Sequence, residues 1–286
     1  MQHHIRCLTQ ACQQLNVDFS FLDEEQNLVE LYIHQKSFIF HSNRTPFNTE
    51  AMAGICLDKG HTWQVLHQHV RMPQTLAFMD IHVPPKYQGY LRYHSRESII
   101  AAIENALSYP LVVKRNRGAL GNNVFLCQNR SEVVAALERI YNKALPGYDY
   151  MALAQEFIPS QQEYRLVCFR GEPVLLYERY AGDNMFKALY WEAPEGQPIL
   201  IEDEALIQEQ MAFLQPMFQR LHPGYVGVDL VRSVSGEWVL LELNSGPRVD
   251  HFIEFNGPER IIAMYARIVQ RLLEDEAYKG TAPIWG

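Results

Sequence analysis

Acidic oxygens sit inside two apolar, β-rich runs of this chain, and their spacing is the first sign of chemistry. The run from Gly227 to Arg232 (GVDLVR) and the run from Glu237 to Pro247 (EWVLLELNSGP) read as two strands folded back across Ser235 and Gly236. Together they carry Asp229, Glu242 and Asn244 as three oxygen donors. Burying such groups is costly unless something positive lies among them. A hard divalent cation, held by one or two carboxylates and completed by phosphate oxygens, is the commonest solution, and magnesium is the expected ion. The plain alternative is a hairpin whose Asp and Glu face water.

A second signal lies upstream. Tyr109 to Lys114 (YPLVVK) is a short β-branched run ending in a lysine, followed by Arg115, Asn116, Arg117, Gly118, Gly121, Asn122 and Asn123. The chain then resumes as a strand at Val124 to Cys127. A strand that delivers a lysine into a Gly/Asn turn suits the covering of phosphates, because backbone amides and cationic side chains supply the donors. It is not a P-loop, since no Gly-Lys-Ser/Thr opens a helix there.

The lysine strand and the carboxylate hairpin, in this order, resemble the ATP-grasp superfamily. Within it they are most similar to the carboxylate-amine ligases: glutathione synthetase, D-alanine-D-alanine ligase, the ribosomal-protein glutamate ligase and the ligase part of cyanophycin synthetase. The resemblance runs from about Asn48 to about Ile262 and joins separate patches. Leu57, Asp58, Lys59 and Thr62, then Met72 to Thr75, match the family's Asp-Lys-x-x-Thr and Val-Pro-x-Thr pattern. Lys114 with Gly118 and Gly121 follows. Ala152 to Ile158 (ALAQEFI) is similar to the strand and hinge that read adenine, and Glu163, Tyr164 and Arg165 open the next strand before the hairpin itself.

This resemblance implies roles. Lys59 and Lys114, with Gly118 and Gly121 in the covering loop, would contact ATP phosphates. Gln155, Glu156, Phe157 and Ile158 would form the adenine hinge, and Glu163 would take the ribose hydroxyls. Asp229, Glu242 and Asn244 would hold one or two magnesium ions, with manganese as an alternative. Arg165 and Lys187 would face the transferred phosphoryl group or a substrate carboxylate. The chain departs from the family at Arg115, where a proline is usual, at Asn123, where glycine is common, and at Arg248, which replaces the glycine after Pro247. Asn tolerates left-handed backbone better than other non-glycine residues. Arg248 bears on the substrate side: its planar donor fork could hold a substrate carboxylate, or pair with Asp250 or Glu254. Lys59 could equally cap a helix, and Arg165 could be paired on its strand face.

Length and composition bound the rest. With 286 residues, 48% of them apolar and 20% charged, the chain has material for one large or two ordinary domains with a full core. A formal net charge of -8 argues against a broad nucleic-acid surface. Cys7, Cys12, Cys56, Cys127 and Cys168 form no Cys-x-x-Cys pair, so neither a disulfide framework nor a zinc ribbon is indicated. No run has the length of a membrane span and the N-terminus lacks a signal-peptide core, so a cytoplasmic protein with no membrane partner is expected. A dimer is left open.

The expected fold class is α/β (α+β), an ATP-grasp fold behind a short N-terminal α/β unit. Residues 1–84 form that unit, 85–158 the central subdomain with the phosphate-covering loop, and 159–286 the C-terminal subdomain with the metal site. Periodicity predicts helices over 3–16, 61–69, 95–107 with Ser95 at its start, 131–145 with Ser131 as cap, 203–221 bent at Pro216, and a closing helix after Pro258. A hairpin turns at Gly171, and the irregular stretch 181–198 has the length of a lid. The function expected is ATP-dependent, ADP-forming ligation of a small-molecule carboxylate to an amine, with an amino-acid or peptide-like substrate. An ATP-binding regulatory module and a small-molecule kinase on the same fold are the alternatives.

Overall fold

The computed structural model describes residues 1–118, 121–181 and 196–275, apart from the side chain of Gln161. The first layer comprises α1 (His3–Gln14) and an antiparallel sheet of β1 (Phe19–Phe21), β2 (Leu28–Ile33) and β3 (Lys36–His41). Two short helices follow, α2 (Glu50–Leu57) and α3 (Lys59–Leu66). A second antiparallel sheet, ordered β4-β7-β5-β6, joins β4 (Thr75–Met79), β5 (Leu111–Arg115), β6 (Val124–Cys127) and β7 (Met151–Glu156). Its outer face carries α4 (Arg96–Ala106) and α5 (Arg130–Ile140). The third sheet, ordered β10-β9-β8-β11-β12, is antiparallel throughout: β8 (Ser160–Phe169), β9 (Glu172–Tyr180), β10 (Gln197–Leu200), β11 (Tyr225–Ser233) and β12 (Trp238–Asn244). It is covered by α6 (Glu204–Leu221), α7 (Asp250–Asn256) and α8 (Glu259–Glu274).

Side-chain alternation sorts the third sheet into two faces. On one, Leu166, Val226, Val228, Leu230 and Leu240 pack with Leu214 and Met217 of α6 and with Met52 and Leu66 of α2 and α3. On the other, Val167, Phe169 and Tyr225 join the stripe Ile261, Met264, Tyr265, Ile268 and Leu272 of α8, which meets Ile5, Leu8 and Cys12 of α1. Burying each such aliphatic side chain contributes roughly 1.5–3 kcal/mol. The N-terminal unit therefore shares its core with the C-terminal helix, and β4, which precedes residue 85, pairs into the central sheet. A third core lies between Val113, Ala152 and Ala154 of the central sheet and Ile99, Ile103, Val133 and Leu137 of α4 and α5.

Local signals fix most boundaries. Ser95 caps α4 in a reciprocal box with Ser98, and Gly171, at φ +81°, turns β8 into β9. Two readings are corrected. Asn129 caps α5, its side chain accepting from the Glu132 amide at 3.1 Å, while Ser131 lies one residue inside the helix. That helix stops at Ile140 and α3 at Leu66, short of the predicted 145 and 69. Of the lid expected over 181–198, residues 182–195, Lys187 among them, lie outside the described residues, and Gln197 and Pro198 belong to β10. All five cysteines are free and buried. Among the described residues no helix is long and apolar enough to cross a membrane.

Candidate active site

A row of polar side chains crosses the third sheet, and pairing register builds it. Tyr177 on β9 stands opposite Arg165 on β8, Arg165 opposite Asp229 on β11, and Asp229 opposite Glu242 on β12. Directly opposed residues point to the same face. The alignment of Asp229 with Glu242 depends on a bulge: Leu230 pairs with Leu240 but Asp229 with Glu242, so Leu241 is the extra residue. An unbulged hairpin would send Glu242 to the opposite face. Gly227 pairs with Asn244, which brings the amide alongside the two carboxylates.

The Arg165 guanidinium clamps Asp229 bidentately, Nε donating to Oδ1 at 2.6 Å and Nη2 to Oδ2 at 2.7 Å. Arg179 of β9 donates to Asp229 Oδ2 at 3.0 Å and to Glu163 Oε1 at 2.5 Å. Asn244 Nδ2 lies 3.4 Å from Asp229 Oδ2 and 3.3 Å from Glu242 Oε1. On the facing sheet Lys114, at the end of β5, is only 9% exposed. Lys59, the first residue of α3, reaches across, its Nζ 3.4 Å from Glu242 Oε2 and donating to the Gly118 carbonyl at 2.7 Å.

Electrostatics follow from burial and these neighbours. Desolvation lowers Lys114 to about 8, with Glu242 working against it. Burial opposes ionisation of Glu242, but Lys59, Lys114 and Arg165 outweigh it and hold this carboxyl down at about 2. Asp229 is pushed up to about 7 by burial and by the charge of Glu242, with Arg165 pulling the other way. Two buried carboxylates thus compete for the same local positive charge.

The fit of a hard cation rests on that donor set. Among the described residues no cluster of three His, Cys, Asp or Glu side chains could hold a metal ion. Any ion here would be held by Asp229, Glu242 and the Asn244 amide, and completed by ligand oxygens. A half-turn of the amide would present its oxygen in place of the nitrogen that bridges both carboxylates. These three residues fit magnesium, which accepts few protein ligands and keeps phosphate or water oxygens.

Between the second and third sheets lies a cavity of about 850 Å³, within the range of small-molecule sites. Lys59, Lys114, Arg165, Asp229, Glu242 and Asn244 all line it. A family model described as the RimK-like ATP-grasp domain matches residues 57–265. The chain belongs to this family.

Solved structures of other ATP-grasp proteins share the fold. The D-alanine-D-alanine ligase from Bacillus anthracis, complexed with ATP, has a TM-score of 0.53 at 15% identity, covering 82% of this chain and 70% of that one. The VanG D-Ala:D-Ser ligase from Enterococcus faecalis has a TM-score of 0.56 at 16% identity, over 79% of this chain and 63% of that one. A RimK domain ATP-grasp protein from Sphaerobacter thermophilus has a TM-score of 0.50 at 21% identity, over 76% and 69%. No curated protein sequence matches the chain.

In this RimK-like domain the remaining expected residues, apart from Lys187, which lies outside the described residues, fall along the same cavity. Gln155, Glu156, Phe157 and Ile158 form one wall with Pro73 and Val112. The Gln155 amide donates to Thr75 Oγ1 at 2.7 Å, and the Glu156 carboxylate is tied to Arg71 at 2.8 and 3.0 Å. Glu163 lines the cavity beside Val231. Gly118 and Gly121 roof it, and the loop is anchored at both ends: Asn116 Oδ1 accepts from the Gly60 amide at 2.9 Å, and Asn123, at φ +58°, donates to the Gly147 carbonyl at 3.0 Å. A side chain at Gly118 would collide with the Arg115 guanidinium. Asp58, not Lys59, caps α3, accepting from the His61 amide at 2.9 Å. Arg248 lines the far end with Asn43 and α7.

Sequence reasoning missed Arg179 and Asn43. The signal for Arg179 was spacing two from Tyr177, but a bulge near Val174 shifts the β8–β9 register, so counting back from Gly171 puts both on the wrong face. Asn43 comes from a loop after β3, and only the folded chain brings its side chain within 2.5 Å of the Gly246 carbonyl.

Proposed function

We propose that this protein is an ATP-dependent, ADP-forming ligase that joins a carboxylate to an amine through an acyl phosphate, with an amino-acid or peptide-like substrate. The observation that carries the reading is the convergence of Lys59 and Lys114 with Asp229, Glu242 and Asn244 across one cavity. The apolar wall of Val112, Phe157 and Ile158 suits an adenine ring, with hinge backbone groups reading its edge. Glu163, oriented by Arg179, would accept ribose hydroxyls. Lys114 and Lys59 would contact the phosphates beneath Gly118 and Gly121.

A carboxylate oxygen of the substrate attacks the terminal phosphorus of ATP, the bond to the bridging oxygen breaks, and ADP leaves. An amine then attacks the acyl carbon and loses a proton, the C–N bond forms, and inorganic phosphate departs. Charge spreads over the equatorial phosphoryl oxygens during transfer, and stabilising it is the protein's main task. Magnesium held by Asp229, Glu242 and Asn244 would neutralise phosphate charge. Lys59 and protonated Lys114 would supply positive charge from the opposite wall, and Arg165 and Arg179 hold the carboxylates in place. The ligase relatives of the same fold support this reading over a regulatory module or a kinase.

Calorimetry with Mg-ATP and product analysis test it together. Wild-type protein should bind Mg-ATP and release ADP and phosphate with a carboxylate and an amine both present. Glu242→Ala with Asn244→Ala should abolish turnover yet keep part of the nucleotide affinity, because the hinge and Glu163 are untouched. Near-normal ADP production by the double variant would remove these residues from the reaction.

A further inference from the structure

The turn that follows the carboxylate hairpin is held rigidly from several sides. Asn43 Nδ2 donates to the Gly246 carbonyl at 2.5 Å and Asn48 Nδ2 to the Ser245 carbonyl at 3.4 Å. Asn48 Oδ1 in turn accepts from the Gly224 and Tyr225 amides at 3.0 and 3.2 Å, which ties the same side chain to the start of β11. Pro247 packs on Gly227, where an added Cβ would come within 2.7 Å of it, and a Cβ on Gly246 would meet the Asn43 backbone at 2.9 Å. Pro247 and Val249 are buried while Arg248 between them is exposed, so the braced turn presents one guanidinium to the cavity beyond Asn244.

Two carboxylates stand near Arg248 in sequence, and neither forms an ion pair with it. Asp250 Oδ1 lies 3.1 Å from His3 Nδ1, and Glu254 Oε2 lies 3.2 Å from His251 Nδ1. Among the described residues Arg248 makes no hydrogen bond or ion pair, although it lines the same cavity as Asp250 and Glu254. A guanidinium carried on a braced turn, with no ion-pair partner among the described residues, at the end of a cavity away from the hinge, can receive a planar anion.

We propose that Arg248 anchors a substrate carboxylate that the reaction does not consume, making it the specificity-determining residue of the acceptor end. This rests on the ligase reading above. The acceptor is then an amine carrying its own carboxylate, an α-amino acid in form. Its carboxylate meets Arg248, while Asp250 and Glu254 offer the ammonium negative charge before the proton is lost.

The test compares the common α-amino acids with their α-carboxamides, which keep the amine and remove the anion. Binding to protein loaded with magnesium and a non-hydrolysable ATP analogue is read first, then ADP release with ATP. At least one free acid should bind roughly 10- to 100-fold more tightly than its amide, the range expected for a charge-assisted pair. Arg248→Ala should bring that ratio to about one while nucleotide affinity and melting temperature hold. Arg248→Lys should restore part of it. Acid and amide binding equally, no acid binding at all, or a preference that survives Arg248→Ala would each overturn the anchor. An acid that binds through Arg248 but yields no ADP with any carboxylate partner would keep the anchor and sink the ligase reading.

Discussion

At the scale of single residues, the site is a charge problem solved by placement. Asp229 is 1% exposed, and an isolated carboxylate there would be untenable without the bidentate Arg165 and the second guanidinium of Arg179. Lys114 faces the reverse problem, since burial lowers it from 10.5 to about 8. Above that value the folded protein has released a proton that the unfolded chain retains up to its ordinary lysine range. The unfolded state then binds more protons, so this residue's contribution to stability rises with pH across that window. Nucleotide affinity should move the other way, because the cation proposed to meet phosphate is lost. Calorimetry between about pH 7 and about pH 9 should show Mg-ATP affinity falling by up to roughly tenfold per unit above the Lys114 value. Lys114→Met should bind weakly at all pH values and lose the slope. A variant with wild-type affinity would take Lys114 out of the phosphate site.

Secondary-structure elements were legible where a local rule sets them and not where the partner does. The Ser95 start of α4, the turn at Gly171 and the apolar stripe of α8 follow from capping, positive φ and helical period, and all are read from adjacent residues. β10 was missed because it is a four-residue edge strand containing Pro198, with no alternation to detect, and the seven-residue α7 is too short for a period. The oxygen donors Asp229, Glu242 and Asn244 were visible as polar intrusions in apolar runs. Arg179 was not, because bulges decide which face a strand residue takes and leave no mark in composition. The brace behind the hairpin is equally non-local. Gly224 runs against the Phe47 backbone, where an added Cβ would lie 2.1 Å from the carbonyl oxygen. Gly224→Ala should therefore cost about 1–3 kcal/mol through overpacking. Urea unfolding measures it, and an unchanged midpoint would mean the loop of Phe47 yields freely.

For the molecule as a whole, two sheets meet across a cavity, and their unlike linings divide the labour. The central sheet supplies Lys114, the hinge and the glycine roof, and the larger sheet supplies the carboxylates and their arginines. The first layer adds Asn43 to the far end of the cavity and sets His3 against Asp250, so that end is assembled from the chain's beginning and its last third. The proposed ligation needs a nucleotide and a second molecule held together, and a cavity of about 850 Å³ lies in the upper part of the range of small-molecule sites. In the proposed ligation a carboxylate oxygen becomes bonded to the transferred phosphorus. The direct measurement is mass spectrometry of the phosphate released when the carboxylate substrate carries heavy oxygen. Phosphate bearing one heavy oxygen, formed in step with ADP and the amide, is the predicted result. Unlabelled phosphate, or a stable phosphorylated product with no amide, would contradict acyl-phosphate ligation.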